Sequence, residues 1–165
     1  MTEQNVLPPV EELLARARPG CLLAVGPAAC QVANRHAENH GDCRVTQRQS
    51  ADARQLLSAG EAVDLALLEG GPHGPERDTA PLLLARLRDV LARVTLVMLP
   101  DDPAPEAPWR RADLRSLGYV PAGRHQWRDT PFQVYRFDIA TYKTTPDWLS
   151  PEGWANPELW DKYRW

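Results

Sequence analysis

Three short apolar runs recur along the chain, and segments with helical spacing separate them. The runs span residues 21–25, 63–68 and 94–99, and each is too short for a core helix. Apolar residues on both alternating faces are typical of strands in a parallel sheet that helices cover on both sides. A fourth, more polar segment at residues 43–47 is predicted as a strand as well. The alternation predicts an α/β fold with a Rossmann-like, mainly parallel sheet and helices on both faces.

The intervening segments predict five helices, which are set by apolar spacing, caps and stop signals. They cover residues 10–17, a stretch from Pro27 to a stop at Gly41, residues 50–60 with Ser50 as the cap, a stretch from Thr79 with Val90 on its apolar face, and residues 109–117. The glycine- and proline-rich residues 70–75 predict a loop at the carboxyl end of the third strand.

The pattern changes after Gly118. Two extended segments, residues 119–127 and 132–142, are joined by only residues 128–131. A connection this short joins antiparallel neighbours, so we expect the sheet to end in an antiparallel hairpin.

The last segment, residues 144–165, is an aromatic tail rich in tryptophan and proline. Three of its triplets repeat a helix-starting pattern, namely Thr145-Pro146-Asp147, Ser150-Pro151-Glu152 and Asn156-Pro157-Glu158. A tryptophan follows each triplet shortly afterwards, and buried indoles stabilise such short turns. We therefore expect the tail to pack on a domain formed by residues 1–143. The alternative is an arm that binds a partner protein.

Length and composition favour one soluble, self-contained domain. The chain has 165 residues, a net charge of −3 and no run of 18 apolar residues, so we expect no membrane contact. Residues 1–9 lack the pattern of a signal peptide, which predicts a cytoplasmic location. The three cysteines, an odd number without a Cys-x-x-Cys pair, are then expected to be reduced thiols.

From residue 10 to residue 142, the order of elements resembles the class I S-adenosylmethionine-dependent methyltransferase fold, with one strand and helix pair missing from the middle. In that family a glycine-rich loop after the first strand approaches the cofactor closely, and an acidic residue after the second strand holds the ribose. Here only Gly26 matches the glycine pattern, and Ala28 and Cys30 stand at the later positions. Gln47, followed by Arg48, stands where the carboxylate is expected. The resemblance implies a methyltransferase-like domain that lacks the cofactor signature.

The chain's ending also resembles a family of small uncharacterised bacterial proteins. The resemblance rests on four short motifs: Tyr142-Lys143, Pro146-Asp147-Trp148-Leu149, Trp154-Ala155-Asn156-Pro157-Glu158 and Lys162-Tyr163-Arg164-Trp165. It implies no established activity and adds no catalytic residue.

Open α/β sheets bind ligands beyond the carboxyl ends of their strands. The polar and glycine residues that this rule collects are Gly26, Gln47, Glu69, His73, Asp101 and Asp102. His73 is the candidate general base, and Gly26, Gln47, Glu69 and Asp101 are the candidate cofactor contacts. The competing interpretation is that the polar residues are solvated loop residues. Because Pro27 has no amide hydrogen, a phosphate site at Gly26 is disfavoured.

Three further chemistries are weighed and disfavoured. His36 and His40 lie one helical turn apart between Cys30 and Cys43, but Glu38 is displaced from the zinc-protease position, so no metal is predicted and a surface helix end is expected. There is no Gly-x-Ser-x-Gly motif for a serine hydrolase. Late arginines lie among aromatic residues, as on an RNA-binding surface, but the chain as a whole is acidic. They are Arg110, Arg111, Arg115, Arg124, Arg128 and Arg136, with Trp109, Trp127 and Tyr135.

The sequence therefore supports one main hypothesis of function and two others. The first is a methyltransferase-like domain that has no cofactor and serves as a binding or interaction module. The second is a divergent S-adenosylmethionine-dependent small-molecule methyltransferase that uses Gly26, Glu69 and His73. Binding of single-stranded RNA is the third, with salt-dependent affinity as its signature.

Overall fold

The computed structural model describes residues 7–142, which form a single sheet between two layers of helices. The helices are α1 Val10–Ala17, α2 Pro27–Asn39, α3 Ala53–Ala59, α4 Ala80–Arg86, α5 Arg111–Ser116 and α6 Ile139–Tyr142. The strands are β1 Cys21–Val25, β2 Arg44–Arg48, β3 Val63–Glu69, β4 Ala92–Pro100, β5 Val120–Trp127 and β6 Thr130–Asp138. A 3₁₀ turn, Ser50–Asp52, precedes α3, and a π-helical turn, Leu87–Leu91, follows α4.

The strand order in the sheet is β2-β1-β3-β4-β6-β5. The first four strands of the sequence are parallel, and β6 is antiparallel to both of its neighbours, β4 and β5. This arrangement confirms the predicted α/β, Rossmann-like, mainly parallel sheet with its terminal antiparallel hairpin. The three apolar runs are the central strands, and residues 22–25, 65–68 and 96–99 are buried throughout.

Helices cover both faces of the sheet, so each face contributes to its own apolar core. One core contains α3, α4 and α5 side chains such as Leu56, Leu84 and Leu114. The other contains α1 and α2 side chains such as Leu14 and Val32. Because both faces are shielded from water, the runs that form the central strands are mostly apolar on both sides, with Asp64 in β3 and Thr95 in β4 as polar exceptions.

Ser50 does not cap a helix as predicted. Its hydroxyl donates a hydrogen bond to the carbonyl oxygen of His73, and the N-cap of the 3₁₀ turn Ser50–Asp52 is Gln49 instead. There the backbone amide of Gln49 donates to a carboxylate oxygen of Asp52 at 3.2 Å. The serine thus fixes the loop after β3 rather than the start of α3.

The predicted apolar position of Val90 is also wrong. The helix that begins with α4 ends in the π-helical turn, where hydrogen bonds join residues that are five positions apart. This spacing shifts the angular positions of the side chains in the turn. Leu87 and Leu91 stay buried, whereas Val90 is 62% exposed.

The predicted bounds of the late elements differ from the structure at three places. The last strand ends at Asp138, whose Oδ1 accepts a hydrogen bond from the Ala140 amide at 2.9 Å, and the chain then turns into α6. The hairpin turn consists of two residues, with Arg128 in the left-handed region at a φ of 52°. Helix α5 begins two residues later than predicted, so Trp109 lies in the preceding loop.

The predictions for the tail of residues 144–165 fall outside the described residues. Within residues 7–142, no helix has the length and apolar character needed to cross a bilayer.

Candidate functional site

Glu69, the last residue of β3, is the central polar residue at the carboxyl edge of the sheet. Its side chain is fully buried, and its Oε2 accepts a hydrogen bond of 2.7 Å from the Ala28 backbone amide. The register explains this contact, because β3 pairs with β1 as far as Leu68 and Val25, and the next residue on each strand is Glu69 and Gly26. Glu69 therefore lies beside the turn that opens α2. The interpretation of Glu69 as a solvated loop residue is wrong.

Gly26 provides the space that Glu69 occupies. Its φ of +98° lies in the region that favours glycine, and a Cβ built on it would stand 2.7 Å from the Glu69 Cβ. The open side of this glycine therefore faces a side chain of the protein itself. Glu69 can be buried here only because residue 26 has no side chain, and the turn in return donates the Ala28 amide to the Glu69 carboxyl group.

Burial sets the protonation of Glu69. Removal from water raises the pKa of its carboxyl group, while the Ala28 amide and the nearby His73 act in the opposite direction. The second oxygen, Oε1, is buried and has no hydrogen-bond partner in the described part of the chain. A raised pKa and an oxygen without a partner are both typical of a carboxyl group that stays protonated to higher pH than usual.

His73 is exposed and lies on a loop that two contacts hold in place. Its ring packs edge-on against Trp127 at the end of β5, with ring centroids 6.1 Å apart, and its carbonyl oxygen accepts the hydrogen bond from Ser50. The sequence did not indicate that Trp127 and Ser50 would meet this loop. Both residues lie far from it along the chain, and only the strand order brings β5 to the same edge.

The other sequence-predicted residues do not join this cluster. The Gln47 side chain is exposed and donates its amide hydrogen to the Asn34 side chain on α2. Asp101 contacts Arg124 across the hairpin, with 3.4 Å between Oδ2 and the guanidinium nitrogen. Asp102 is exposed beside it. The structure thus brings Gly26, Glu69 and His73 together and leaves Gln47, Asp101 and Asp102 apart.

These residues do not fit S-adenosylmethionine bound as the methyltransferase resemblance implies. The glycine that should admit the cofactor is packed against Glu69, and the first free amide of α2 is already hydrogen-bonded to the same side chain. Gln47, at the end of β2, offers an amide where a carboxylate would accept two ribose hydroxyl protons.

Of the two histidines at the end of α2, His36 is buried and so differs from the predicted surface helix end. His36 is 5% exposed, and its ring stacks on that of His40 with centroids 4.3 Å apart. Burial lowers the pKa of His36, and the neighbouring His40 adds to this effect. Among residues 7–142, no three histidine, cysteine or acidic side chains are grouped so that they could hold a metal ion.

The aromatic residues among the late arginines are mostly unavailable to nucleic-acid bases. Trp109 is 1% exposed, and Tyr135 is fully buried. Trp127 is partly buried, and its ring carries the guanidinium of Arg128 at 4.4 Å. Stacking of bases on Trp109 or Tyr135 would require the core to open, which contradicts the aromatic part of the RNA-binding hypothesis.

Solved structures with similar folds are distant in sequence. An O-methyltransferase family protein from Burkholderia thailandensis is 14% identical, with 78% of this chain and 54% of that chain covered and a TM-score of 0.44. WbdD is 18% identical, with coverages of 78% and 33% and a TM-score of 0.46. A fibrillarin pre-rRNA processing protein from Methanococcus jannaschii is 10% identical, with coverages of 72% and 55% and a TM-score of 0.36.

This chain thus spans about half or less of the length of those proteins. No curated protein matches its sequence. One family model does match, over residues 2–165, and so includes the whole described domain and the tail. Its extent agrees with the resemblance of the C-terminal motifs to small uncharacterised proteins, and the chain belongs to this family, the family of unknown function DUF6231.

Proposed function

We propose that this domain is a binding module that does not use S-adenosylmethionine. The observation that carries the proposal is the hydrogen bond between Glu69 and Ala28. A methyltransferase of the resembling class keeps the space beside this glycine for its cofactor, whereas here a buried side chain of the protein fills it. The domain keeps the sheet and the turn and uses them to hold Glu69.

Any cofactor that binds beside Gly26 would have to displace Glu69, and the free energy needed for this weakens binding. The ligand would have to break a buried hydrogen bond and move a side chain that is 0% exposed, and leaving a buried polar group without its partner costs about 1–3 kcal/mol. A cost of 1.4 kcal/mol already weakens binding about tenfold. The ribose position adds no compensating carboxylate, because Gln47 stands there.

A divergent small-molecule methyltransferase is the second candidate, and one observation favours it. Glu69 and His73 lie close enough that the imidazole lowers the pKa of the carboxyl group, which burial otherwise raises. A buried carboxyl group near an imidazole, at the carboxyl edge of a Rossmann-like sheet, is a common arrangement in active sites. In that case Glu69 would turn away from Ala28 when a ligand binds.

Calorimetric titration of the full chain with S-adenosylmethionine and S-adenosylhomocysteine separates the two candidates. The module predicts no saturable heat up to millimolar ligand. Glu69→Ala empties the space beside Gly26, and any weak binding that it gains would support the blocking role. Glu38→Ala removes an exposed carboxylate on α2 and serves as the matched control. Saturable micromolar binding by the unmodified chain would overturn the proposal and favour the enzyme.

A further inference from the structure

Two cavities of about 350 and 320 Å³ adjoin at the amino ends of β1 and β3, where Cys21, Ala62 and Val63 line both of them. The second cavity continues from there along β2 to Arg48, the last residue of that strand. We call the two adjoining cavities the amino-edge groove.

The first cavity has a mixed lining of apolar and charged residues. Its apolar part, which we call the floor, includes Val90, Leu91, Ala92 and Ile139, and Val90 is 62% exposed. Its charged part has two acidic and two basic residues, Asp64, Asp89, Arg88 and Arg93. The π-helical turn turns Val90 outward into this cavity. The exposed Val90 side chain offers apolar area that another apolar group can bury against the groove.

The second cavity has a basic rim. Arg44 and Arg48 line it from the same face of β2, since they stand an even number of residues apart on one strand. Both side chains are exposed, and neither forms an ion pair with another residue of the described part. β2 is an edge strand of the six-stranded sheet. Among residues 7–142, Glu61 is the one acidic residue that lines this second cavity. The charges that line the groove therefore balance around Val90 and are net positive along β2.

The described part of the chain ends at this groove. Helix α6 spans Ile139–Tyr142, and Ile139 itself lines the first cavity. The sequence that follows carries three regularly spaced tryptophans, Trp148, Trp154 and Trp160, and the acidic residues Asp147, Glu152, Glu158 and Asp161. Lys143, Lys162 and Arg164 flank this stretch, and between residues 144 and 161 there is no lysine or arginine. The chemistry of residues 144–161 complements a groove that has an apolar floor and a net positive rim.

We infer that residues 143–165 of this chain dock in the amino-edge groove, with tryptophan side chains on the floor around Val90 and acidic side chains toward Arg44 and Arg48. Length does not limit this docking. A strand of five residues such as β2 is about 17 Å long, whereas an extended segment from residue 143 to residue 165 spans up to about 75 Å. This inference does not depend on whether the opposite edge binds a cofactor.

Acrylamide quenching of tryptophan fluorescence in the full chain tests the inference, because four of the six tryptophans follow residue 142. Val90→Asp places a charge on the apolar floor. Its matched control is Leu82→Asp, which changes a side chain of equal exposure, 61%, that lies outside the groove. The double variant Arg44→Glu/Arg48→Glu reverses the charge of the rim without touching the floor.

Docking predicts that Val90→Asp and the charge-reversed variant each raise the quenching constant about twofold, because the indoles lose their contact area with the groove. Leu82→Asp should match the unmodified chain, and circular dichroism should confirm that all variants keep the sheet. Unchanged quenching in both groove variants would overturn the inference. Protection that disappears on dilution of the unmodified chain would also overturn it, since the tail would then cover a second copy rather than its own groove.

Discussion

The Glu69 carboxylate and the Ala28 backbone amide are joined by a hydrogen bond of 2.7 Å, although they are 41 residues apart in the sequence. The bond connects the end of the central strand β3 to the first turn of α2. It uses an amide at the helix start that, in open α/β proteins with bound anionic groups, faces the ligand. Here the protein's own acid satisfies that amide.

Gly26→Ala should destabilise the domain strongly. Alanine at a φ of +98° is strained, and its Cβ would meet the Glu69 Cβ at 2.7 Å, so we expect a loss of about 2–4 kcal/mol in the free energy of unfolding. Urea denaturation measures this loss. Gly41→Ala is the control, because nothing lies within 4 Å of an added Cβ there, and it should change the free energy of unfolding by less than about 0.5 kcal/mol. Equal effects of the two substitutions would show that Glu69 does not pack on Gly26.

Glu69→Gln should alter how the free energy of unfolding depends on pH. Burial raises the pKa of the Glu69 carboxyl group above its ordinary value of 4.5 in the folded protein. The stabilisation linked to this group is thus fully present below about pH 4.5 and is lost as the pH rises through the folded pKa. The glutamine does not titrate, so the variant should gain stability relative to the unmodified protein between pH 4 and pH 8.

Urea denaturation at several pH values gives this difference, and Glu38→Gln corrects for the loss of an exposed carboxylate. A difference that stays constant from pH 4 to pH 8 would show that the pKa of Glu69 is not raised.

His125→Gln should make the domain less sensitive to acid. Burial lowers the pKa of His125 below 6.5; the Glu11 carboxylate opposes this effect, and the Arg35 guanidinium reinforces it. The stabilisation linked to the neutral imidazole is present above about pH 6.5 and is lost as the pH falls through the lower folded pKa. The unmodified protein should therefore lose more free energy of unfolding between pH 7 and pH 5 than the variant does.

Some acid sensitivity should remain in His125→Gln, because burial also lowers the pKa of His36. Parallel pH profiles for the variant and the unmodified protein would contradict the account of His125.

The central strands could be predicted from sequence because burial on both faces leaves a local signal. Residues 94–99 are apolar except for Thr95, and they lie at the centre of the sheet as part of β4. The hairpin was predictable for a similar reason, since so short a connection permits one geometry. The π-helical turn could not be predicted, because it changes the hydrogen bonding without changing the apolar spacing of Leu87 and Leu91. A prediction from spacing alone therefore puts Val90 on the buried face.

The candidate site was only partly predictable for a different reason. The rule of strand carboxyl ends selected Gly26 and Glu69, which are in contact, and His73, which lies near enough to lower the pKa of Glu69. It also selected Gln47, Asp101 and Asp102, which lie apart from them. The rule predicts at which edge of the sheet a residue lies, but it does not predict whether its side chain is buried. The sequence therefore could not distinguish the buried Glu69 from a solvated loop residue. The contacts of Ser50 and Trp127 with the loop depend on the strand order, and no short pattern records them.

Deletion of residues 144–165 should lower the melting temperature sharply and increase the binding of a dye for apolar surfaces. The physical reason is that the removed tryptophans would each bury on the order of 200 Å² if they dock. Differential scanning fluorimetry measures both quantities. A truncated protein that melts like the full chain would favour a tail that binds a partner protein.

The central claim is that Glu69, and no cofactor, occupies the start of α2, and the amide signals of Gly26 and Ala28 report on it most directly. In ¹H–¹⁵N nuclear magnetic resonance spectra of the full chain, S-adenosylhomocysteine added to millimolar concentration should leave both signals in place. Glu69→Ala should shift the Ala28 signal upfield, because the amide loses a short hydrogen bond to a carboxyl oxygen. Saturable shifts of Gly26 and Ala28 in the unmodified chain at micromolar ligand would contradict the claim.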